Sequence, residues 1–354
     1  MKRIISALAC VTLLITALLS LSSCKPDDPP EYKTKTRYIS YTYFNTVSLM
    51  SSYGDTSDEQ LASYAAVADE LLGYYHKLFD IYFEYTGINN LRTINKNAGK
   101  SPVKVDDKLI DFLEECKELF TLTNGKTNVM MGAVLKIWHN HRENAEFDPT
   151  TATVPDTEQL RAAAEHTDID SLIIDRTAGT VYISDPKASL DVGAIGKGYA
   201  TERLYERLKE LGANSIALNI GGNLRTIGVR PDGSEWRTGI TNPDRSSTDF
   251  AARISFGETS CVTSGNYERF YVVDGVKYHH VIDPVTLFPT EHFASVTVIT
   301  ADSALADALS TALFCLSHED GLALIGGLDT EVAVLWITNS GEVRTTDNVK
   351  LLND

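Results

Sequence analysis

Residues 303–316 (SALADALSTALFCL) are the part of this sequence that most restricts how the chain can fold. Nearly every residue is apolar, so we predict a helix over 303–316 that is buried on all sides. One carboxylate, Asp307, stands inside it. An isolated carboxylate in an apolar helix is costly unless it is paired or bound to a cation. The fold must therefore give Asp307 a partner.

Two interpretations of Asp307 are open. Thr311 lies one turn further along the same helix face and offers a second oxygen. Hard oxygen ligands with one carboxylate, leaving room for water and phosphate oxygens, suit Mg²⁺. Alternatively, Asp307 is a carboxylate near a helix N-terminus, and the Thr311 hydroxyl bonds back to a helix carbonyl. The residues alone do not decide between them.

A glycine-rich stretch, LDVGAIGKGYA at 190–200, precedes a helix predicted over 197–211. Glycines allow backbone N–H groups to converge on an anion at a helix N-terminus. The spacing matches neither the dinucleotide fingerprint nor the P-loop, and a plain strand-to-helix corner fits equally well. Asp191 and Lys197 favour the anion site slightly, because a lysine at a helix start opposes the dipole unless an anion binds there.

Other polar stretches carry weaker signals. NIGGN at 219–223 permits close backbone approach but also suits a plain hairpin turn. His279 and His280 are adjacent on a predicted strand, so their side chains point to opposite faces and at most one enters a site. We reject His139 and His141 as a metal pair, since residues two apart on a helix do not face together.

Strands and helices mix without regular alternation, which predicts an α+β fold with largely antiparallel sheet flanked by helices. Further helices are predicted at 57–83, 108–121 and 127–141. The predicted strands are 38–53 (broken near 45), 171–174, 180–183, 215–220, 224–229, 237–240, 252–256, 267–273, 296–299 and a hairpin within 331–345.

The N-terminus reads as an export signal. A basic start, an apolar run and small residues indicate a signal peptide over 1–23, although a membrane-spanning helix is the alternative. Residues 21–24 (LSSC) resemble the lipobox of bacterial lipoproteins, which makes Cys24 the lipidated mature N-terminus. Residues 24–37, rich in proline and charge, are expected to be a flexible tether. The folded part is expected over 38–354, on the non-cytoplasmic side of a membrane.

Composition excludes one class of partner. The formal net charge of −16 argues against nucleic acid, whose phosphates demand basic surface. The cysteines that remain after processing show no CxxC spacing and are expected to be buried, inert thiols.

Five stretches in this order, LDVGAIGKGYA, NIGGN, TSGNYER, HHVIDPVT and ADALSTALF, resemble the FAD:protein FMN transferase (ApbE) family. Weaker similarity begins at YFNT, 43–46. The resemblance implies an ApbE-like fold, FAD as substrate and a bound Mg²⁺. By position, the metal ligands would be Asp307, Thr311 and the backbone oxygen of Ala194. The implied FAD contacts are Phe44, Asn45, Tyr82, Thr127, Asn128, Val129, Asp191, Lys197 and His280.

The resemblance implies Mg²⁺-dependent transfer of FMN from FAD to a threonine hydroxyl of an exported flavoprotein, with release of AMP. Lys197 would add positive charge, and His280, aligned in preference to His279, would be the general base. The chain has no acceptor motif of its own, so the acceptor must come in trans. The alternatives are a Mg²⁺-dependent FAD pyrophosphatase and a non-catalytic flavin-binding lipoprotein.

Two segments depart from the pattern of many family members. Where those members have Met-Gly-Thr, this chain has Phe-Asn-Thr at 44–46. Where they have Ala-Phe-Asp-Pro-Thr, it has Thr-Asn-Val-Met-Met at 127–131. The expected FAD contacts in these segments therefore rest on position and not on residue identity.

Overall fold

A computed structural model describes residues 34–352 of the chain. The predicted signal peptide 1–23, Cys24 and most of the predicted tether 24–37 lie outside the described residues. The first strand begins at Lys35, so the last three residues of that tether belong to the folded part, because this strand pairs with the next one. Within residues 34–352, no helix combines the length and apolar composition needed to span a bilayer.

The strands, in chain order, are β1 (Lys35–Ser40), β2 (Ser48–Ser52), β3 (Val103–Lys104), β4 (Leu172–Asp175), β5 (Thr180–Ile183), β6 (Ile216–Ile220), β7 (Asn223–Ile227), β8 (Trp236–Thr241), β9 (Phe250–Phe256), β10 (Ser260–Gly265), β11 (Phe270–Val273), β12 (Val276–His279), β13 (Ser295–Thr300), β14 (Ala333–Ile337), β15 (Val343–Thr345) and β16 (Lys350–Leu351). Eight of them form the central sheet in the order β1-β2-β6-β7-β10-β13-β14-β15. Every neighbouring pair in it is antiparallel.

The α-helices of the described residues are α1 (Asp58–Phe79), α2 (Leu91–Lys96), α3 (Asp107–Leu122), α4 (Gly132–Phe147), α5 (Thr157–Ala164), α6 (Gly196–Glu210), α7 (Ser303–Phe314) and α8 (His318–Gly326). Single turns of 3-10 helix lie at Pro149–Thr151 and Ile169–Ser171. Together with the antiparallel sheet, these helices confirm the predicted α+β class.

Helix α7 lies at the centre of the molecule. It packs against α6 on one side and against β10 and β13 of the central sheet on the other. Ala304 and Ala308 belong to one apolar core, whereas Leu309 and Leu313 belong to a second. The prediction of a helix buried on all sides is confirmed, because α7 lies between the two apolar cores and contributes side chains to both.

Smaller sheets surround this centre. Strands β3, β5 and β4 form one three-stranded sheet, and β16, β9 and β8 form another. Strands β11 and β12 form a separate hairpin whose Tyr278 ring stacks on Trp138 of α4, with 5.9 Å between ring centroids. Within residues 34–352 the free thiols of Cys116, Cys261 and Cys315 are buried, as expected.

Several predicted boundaries were wrong. The helix predicted over 127–141 starts only at Gly132, because 127–131 form a turn tied to neighbouring segments. The helix predicted over 57–83 ends at Phe79, where the Asp80 carboxylate accepts the backbone N–H of Tyr82 instead. The strand predicted over 267–273 begins at Phe270.

The sequence analysis also missed elements. Helices α2, α5 and α8 each have fewer than ten residues, too few apolar repeats to show a periodicity. Strand β10 (SCVTSG) is small and polar, so it lacks the β-branched pattern of a typical strand. Its place is fixed by its partners β7 and β13 on either side.

Candidate functional site

The structure gives Asp307 the partners that its burial demands. The residue is 3% exposed, and its Oδ2 accepts a hydrogen bond from the backbone N–H of Gly198 at 2.8 Å. The Lys197 ammonium lies 3.4 and 3.3 Å from the two carboxylate oxygens. Burial raises the pKa of Asp307, and Lys197 and the Gly198 N–H oppose that rise. The glycine-rich stretch and the apolar helix thus meet at this carboxylate.

Gly198 allows the two helices to meet this closely. A Cβ atom at Gly198 would lie 2.2 Å from the Ser303 carbonyl oxygen and 2.6 Å from the Asp307 Cβ, distances that no side chain tolerates. Gly198 lies in the first turn of α6, where backbone N–H groups have no partner within the helix. One such N–H is directed at Asp307, so this glycine serves helix contact and charge stabilisation together.

Further oxygen atoms are carried by the segments that meet near Asp307. The side-chain amide N–H of Asn223, at the start of β7, faces this carboxylate and lowers the pKa of Asp307, and the Asn223 Oδ1 is buried without a hydrogen-bond donor among the described residues. Thr311 follows Asp307 by one helical turn, but the hydroxyl that bonds back to a helix carbonyl is that of Ser310, to Asp307. Ala194 lies just before α6. This oxygen set has the chemistry that hard cations prefer.

No group of three or more His, Cys, Asp or Glu side chains with metal-binding geometry occurs within residues 34–352. A site built from one carboxylate, one amide oxygen, a hydroxyl and a backbone carbonyl would not form such a group. The buried Asn223 Oδ1 without a donor is therefore the observation that fits a cation beside Asp307.

A buried ion pair supports the start of α7. Arg225 donates two hydrogen bonds to Glu202, at 3.0 and 3.1 Å, and both side chains are buried. Glu202 also accepts the backbone N–H of Ser303 at 2.8 Å. This pair, which the sequence analysis missed, ties α6, β7 and α7 together next to Asp307.

The two adjacent histidines have different environments. His279 is buried, its Nε2 donates to the Thr290 carbonyl at 2.8 Å, and its Nδ1 accepts from the Val281 N–H at 3.2 Å. His280 instead has a buried Nδ1 without a hydrogen-bond partner among the described residues. One ring nitrogen of His280 therefore has no partner within residues 34–352, whereas both ring nitrogens of His279 are bonded within the fold.

Three cations surround His280. Burial, followed by the charges of Arg269, His279, Arg142 and Lys197, lowers the pKa of His280 to about 3. The ring is neutral at physiological pH, and its unprotonated nitrogen can accept a proton. The sequence analysis quoted Arg269 only within a motif and missed Arg142, because α4 and β11 are distant in sequence.

Asp191 is the carboxylate on this side of the site. Its Oδ1 accepts the Gly193 N–H at 3.0 Å, and its backbone N–H donates to the Val129 carbonyl at 2.8 Å. Burial raises the pKa of Asp191, against the Gly193 bond and the charges of His139, Arg269 and Arg142. Asp191 and His280 thus share Arg142 and Arg269 as charged neighbours, and Lys197 acts on His280.

Tyr82 lies on the loop after α1 and faces α4. Its ring centroid is 5.7 Å from that of His139, and the side chain is 52% exposed. Arg142 donates to the His139 Nδ1 at 2.7 Å, and the His139 Nε2 lies 3.1 Å from Glu143. The contact of His139 with Tyr82 was not expected from the sequence.

Phe44 and Asn45 form a strained turn. Both adopt left-handed backbone conformations, with φ of 55° and 51°. Phe44 packs edge-on to His76 and near Phe79. The Arg269 guanidinium donates to the Asn45 carbonyl at 3.5 Å, so this turn reaches the cations around His280.

The side chains of the segment 127–129 make contacts within the protein. Thr127 is buried, and its hydroxyl donates to the Ala308 carbonyl of α7 at 2.7 Å. Asn128 donates to the Thr167 carbonyl at 2.9 Å, and the Val129 side chain lies in the core. Contacts of this segment with FAD stay a prediction, and the side chains of Thr127 and Val129 are already engaged within the protein.

Comparison with known proteins agrees with this architecture. Residues 42–336 match the model of the ApbE family. The chain is 34% identical to the FAD:protein FMN transferase of Treponema pallidum over 66% of this chain and 67% of that protein. It is 28% identical to a FAD:protein FMN transferase of Klebsiella pneumoniae over 81% of this chain and 92% of the relative.

A solved structure shows the same fold. The ApbE protein of Thermotoga maritima superimposes with a TM-score of 0.75 at 25% identity, covering 89% of this chain and 97% of the other. The family match spans most of the chain and includes every stretch that forms the site around Asp307 and His280. This chain therefore belongs to the ApbE family.

Proposed function

We propose that this chain is a Mg²⁺-dependent FAD:protein FMN transferase that moves FMN onto a threonine hydroxyl of an exported flavoprotein and releases AMP. The relatives named above carry this activity in their names. The observation in the molecule that carries the proposal is His280. A neutral imidazole with an unpartnered buried nitrogen, surrounded by three cations, suits a base that acts beside an anionic substrate.

The metal part of the proposal rests on the oxygens around Asp307. Asp307, Thr311 and the Ala194 carbonyl would hold Mg²⁺, and the donor-free Asn223 Oδ1 is a further oxygen within the same group. When bound, Mg²⁺ supplies charge neutralisation at pyrophosphate oxygens. Lys197, whose ammonium lies 3.3 Å from the Asp307 carboxylate, would add a further positive charge toward the same phosphates.

Proton transfer and stabilisation of the phosphate charge are assigned to side chains of this chain. His280 accepts the proton of the acceptor threonine hydroxyl as the oxygen forms its bond to the FMN phosphorus. The bond from that phosphorus to the bridging oxygen of FAD breaks, and the oxygen leaves on AMP. Arg142, Arg269 and Lys197 stabilise the charge of the phosphates, because transfer of a phosphoryl group depends mainly on positioning and electrostatics.

FAD contacts are proposed at Phe44, Asn45, Tyr82, Thr127, Asn128, Val129, Asp191, Lys197 and His280. Tyr82 offers an exposed ring for stacking, whereas the segment 127–129 has mainly backbone to offer. Anchoring through a lipidated Cys24 would place the enzyme on the non-cytoplasmic membrane face, where it would meet its exported acceptors.

The test is a transfer reaction followed by mass spectrometry. The full-length chain in detergent micelles is incubated with FAD, an exported flavoprotein domain that carries an acceptor threonine, and either Mg²⁺ or EDTA. We expect the acceptor to gain the mass of one FMN only with Mg²⁺. Asp307→Asn should lower the rate by about 10²-fold or more, because it removes the charge that holds the ion.

Asp302→Asn is the matched control. Asp302 caps α7, where its carboxylate accepts the Leu305 N–H at 2.8 Å, and asparagine caps helices equally well. This variant removes one negative charge from the same helix and should keep full activity. Free FMN and AMP with unmodified acceptor would instead support the pyrophosphatase. Intact FAD throughout would leave a flavin-binding lipoprotein.

A further inference from the structure

The ion pair of Glu202 and Arg225 lies one helical turn away from the Asp307 carboxylate. Glu202 follows Gly198 by four residues, so the two lie on one face of α6. Ser303 likewise precedes Asp307 by four residues on one face of α7. Because Glu202 accepts the Ser303 N–H, the ion pair is bonded to α7 about 5.4 Å along the helix axis from the carboxylate.

Strand β7 takes part in both sets of contacts. Asn223 and Arg225 are two residues apart, so their side chains leave the same face of the strand. The Asn223 amide N–H faces Asp307, and the Arg225 guanidinium faces Glu202. The three elements that meet at Asp307 are therefore joined a second time at the ion pair, by charged groups.

Several bonds hold this pair in one geometry. The Glu202 Oε2 accepts the Arg225 Nε–H at 3.0 Å and the Ser303 N–H at 2.8 Å, and its Oε1 accepts an Nη2–H of the same arginine at 3.1 Å. The Arg225 guanidinium carbon lies 3.4 Å from the centre of the Tyr205 ring. The Tyr205 hydroxyl in turn donates to Glu258 at 2.7 Å. Glu202 and Arg225 are 5% and 4% exposed, so water does not compete for these bonds.

Stability alone does not explain an ion pair at this place. The cost of removing two charges from water offsets their attraction, so apolar side chains of similar volume are often equally stabilising. The pair provides what apolar side chains cannot, a charged acceptor for the backbone N–H of Ser303. A charge-assisted hydrogen bond is short and directional, so it fixes the start of α7 relative to α6.

We propose that Glu202 and Arg225 are positioning residues that hold Asp307 where it binds the cation. The bond from Ser303 fixes the first turn of α7, and Asp307 stands one turn further along. Without the pair, α7 can shift along α6, and the Asp307 carboxylate and the Asn223 side chain no longer face each other. This inference rests on the proposed function for the identity of the cation, Mg²⁺, and not for the position of Asp307.

The test removes the pair as a whole, because a single substitution would leave one buried charge unpaired and damage stability. The double variant Glu202→Met with Arg225→Met loses one negative and one positive charge, so the net charge near Asp307 is unchanged. The full-length protein in detergent micelles is freed of metal with EDTA, dialysed and titrated with Mg²⁺ in a calorimeter. We expect the Kd for Mg²⁺ to rise about tenfold, as happens when residues that orient a metal ligand are lost. The urea midpoint should stay close to that of the wild type.

Tyr205→Phe is the matched control within the same network. Tyr205 lies seven residues beyond Gly198 on α6, and the variant keeps the ring on Arg225 while losing the hydrogen bond to Glu258. The urea midpoint should fall, and the Kd for Mg²⁺ should stay at the wild-type value. The two variants thus separate stability from positioning. A Kd that follows the urea midpoint in both would overturn the proposal.

Hydrogen exchange gives a second measurement that needs no metal. The Gly198 N–H donates to Asp307 in the wild type, so in the metal-free double variant it should exchange faster. Tyr205→Phe should leave its exchange rate unchanged. Wild-type exchange at Gly198 in the double variant would overturn the positioning role, because α7 would then have kept its place without the pair.

The remaining outcomes are also decisive. If the double variant does not fold, Arg225→Lys replaces it, since lysine keeps the charge but loses the bidentate fork. Weaker Mg²⁺ binding by this variant would support the proposal, and wild-type affinity would overturn it. A wild-type chain that binds no Mg²⁺ in the calorimeter would overturn the metal part of the proposed function, and exchange at Gly198 would still decide the positioning role.

Discussion

The two sides of the candidate site are built in different ways. On the buried side, helices α6 and α7 touch through Gly198 and hold Asp307 against Lys197. On the loop side, the segments 43–46 and 80–83 carry exposed or strained residues at the surface. The buried side is fixed by helix packing, whereas the loop side is fixed by single hydrogen bonds, some within 80–85 and one from Arg269 to Asn45.

The two sides also differ in how firmly the fold holds their functional residues. Asp307 cannot move without displacing α7 from two cores, so its position is held by the whole fold. Tyr82 is held mainly by Asp80, whose carboxylate accepts the N–H of Tyr82 at 2.6 Å and the hydroxyl of Tyr85 at 2.7 Å. We expect substitutions on the buried side to damage stability and activity together, and those on the loop side to act on substrate binding alone.

The largest effect should come from Gly198→Ala. The added methyl group meets the Ser303 carbonyl at 2.2 Å, so α6 and α7 must separate. We expect the free energy of unfolding to fall by ~3 kcal/mol in urea denaturation, because overpacking a tight contact costs this much. Transfer activity should fall with it, since Asp307 loses the Gly198 N–H.

Gly257→Ala is the control for Gly198→Ala. Nothing lies within 4 Å of a Cβ atom at Gly257, so this variant should unfold at the wild-type urea concentration. If Gly198→Ala were as stable as Gly257→Ala, α6 and α7 could separate at little cost. The buried side would then not be held more firmly than the loop side.

His280, between the two sides, should give the next largest effect. His280→Gln should lower kcat by ~10²-fold as a general base is lost, whereas His279→Gln should lower stability because it breaks the bond to Thr290. With the pKa of His280 lowered to about 3, the ring stays neutral from pH 5 to pH 8. We therefore expect kcat/KM for FAD to be flat over this range.

The pH profile tests the cations around His280 directly. kcat/KM reports the free enzyme, in which Arg142, Arg269 and Lys197 disfavour protonation of the ring. A histidine with the ordinary pKa of ~6.5 would lose activity tenfold per pH unit below that value. A kcat/KM that rises with a midpoint near that pKa would mean that the three cations do not act on His280 as the structure indicates.

The contrast also explains what the sequence could predict. Asp307 was visible because it violates a local rule, as a carboxylate in an apolar helix, and Gly198 belonged to the glycine-rich stretch 190–200 that the sequence marked before a helix. The helix over 303–316 was predicted almost to the residue for the same reason. The structural requirement of such a residue can be inferred from its local sequence, because the cost of burying a carboxylate and the space around a glycine depend on the immediate surroundings.

The loop side could not be predicted in this way. Arg142 and Arg269 reach His280 from α4 and from the start of β11, and nothing in their local sequence marks them. A helix was predicted over 127–131 because the apolar residues of this segment match a helical period. In the structure the segment is a turn, and the hydrogen bond from Thr127 to the Ala308 carbonyl keeps it out of the helix. Contacts between distant segments decided these positions, and a single sequence does not display them.

The smallest effect should come from Asn45→Gly, on the loop side. Asn45 has a φ of 51°, which glycine adopts without strain, but glycine also gives the unfolded chain more freedom. We expect the relief of backbone strain and the added freedom of the unfolded chain to offset each other, so that the free energy of unfolding in urea changes by less than about 0.5 kcal/mol. Arg269 contacts the Asn45 carbonyl and not its side chain, so the KM for FAD should change by less than about twofold.

Gly221→Asn makes this result interpretable, because Gly221 lies opposite the same turn. A Cβ atom there would lie 2.4 Å from the Thr46 hydroxyl oxygen, so this variant should displace the turn and raise the KM for FAD. A KM for FAD raised tenfold by Asn45→Gly would place the amide side chain on the substrate, and the loop side would then select its ligand as strictly as the buried side.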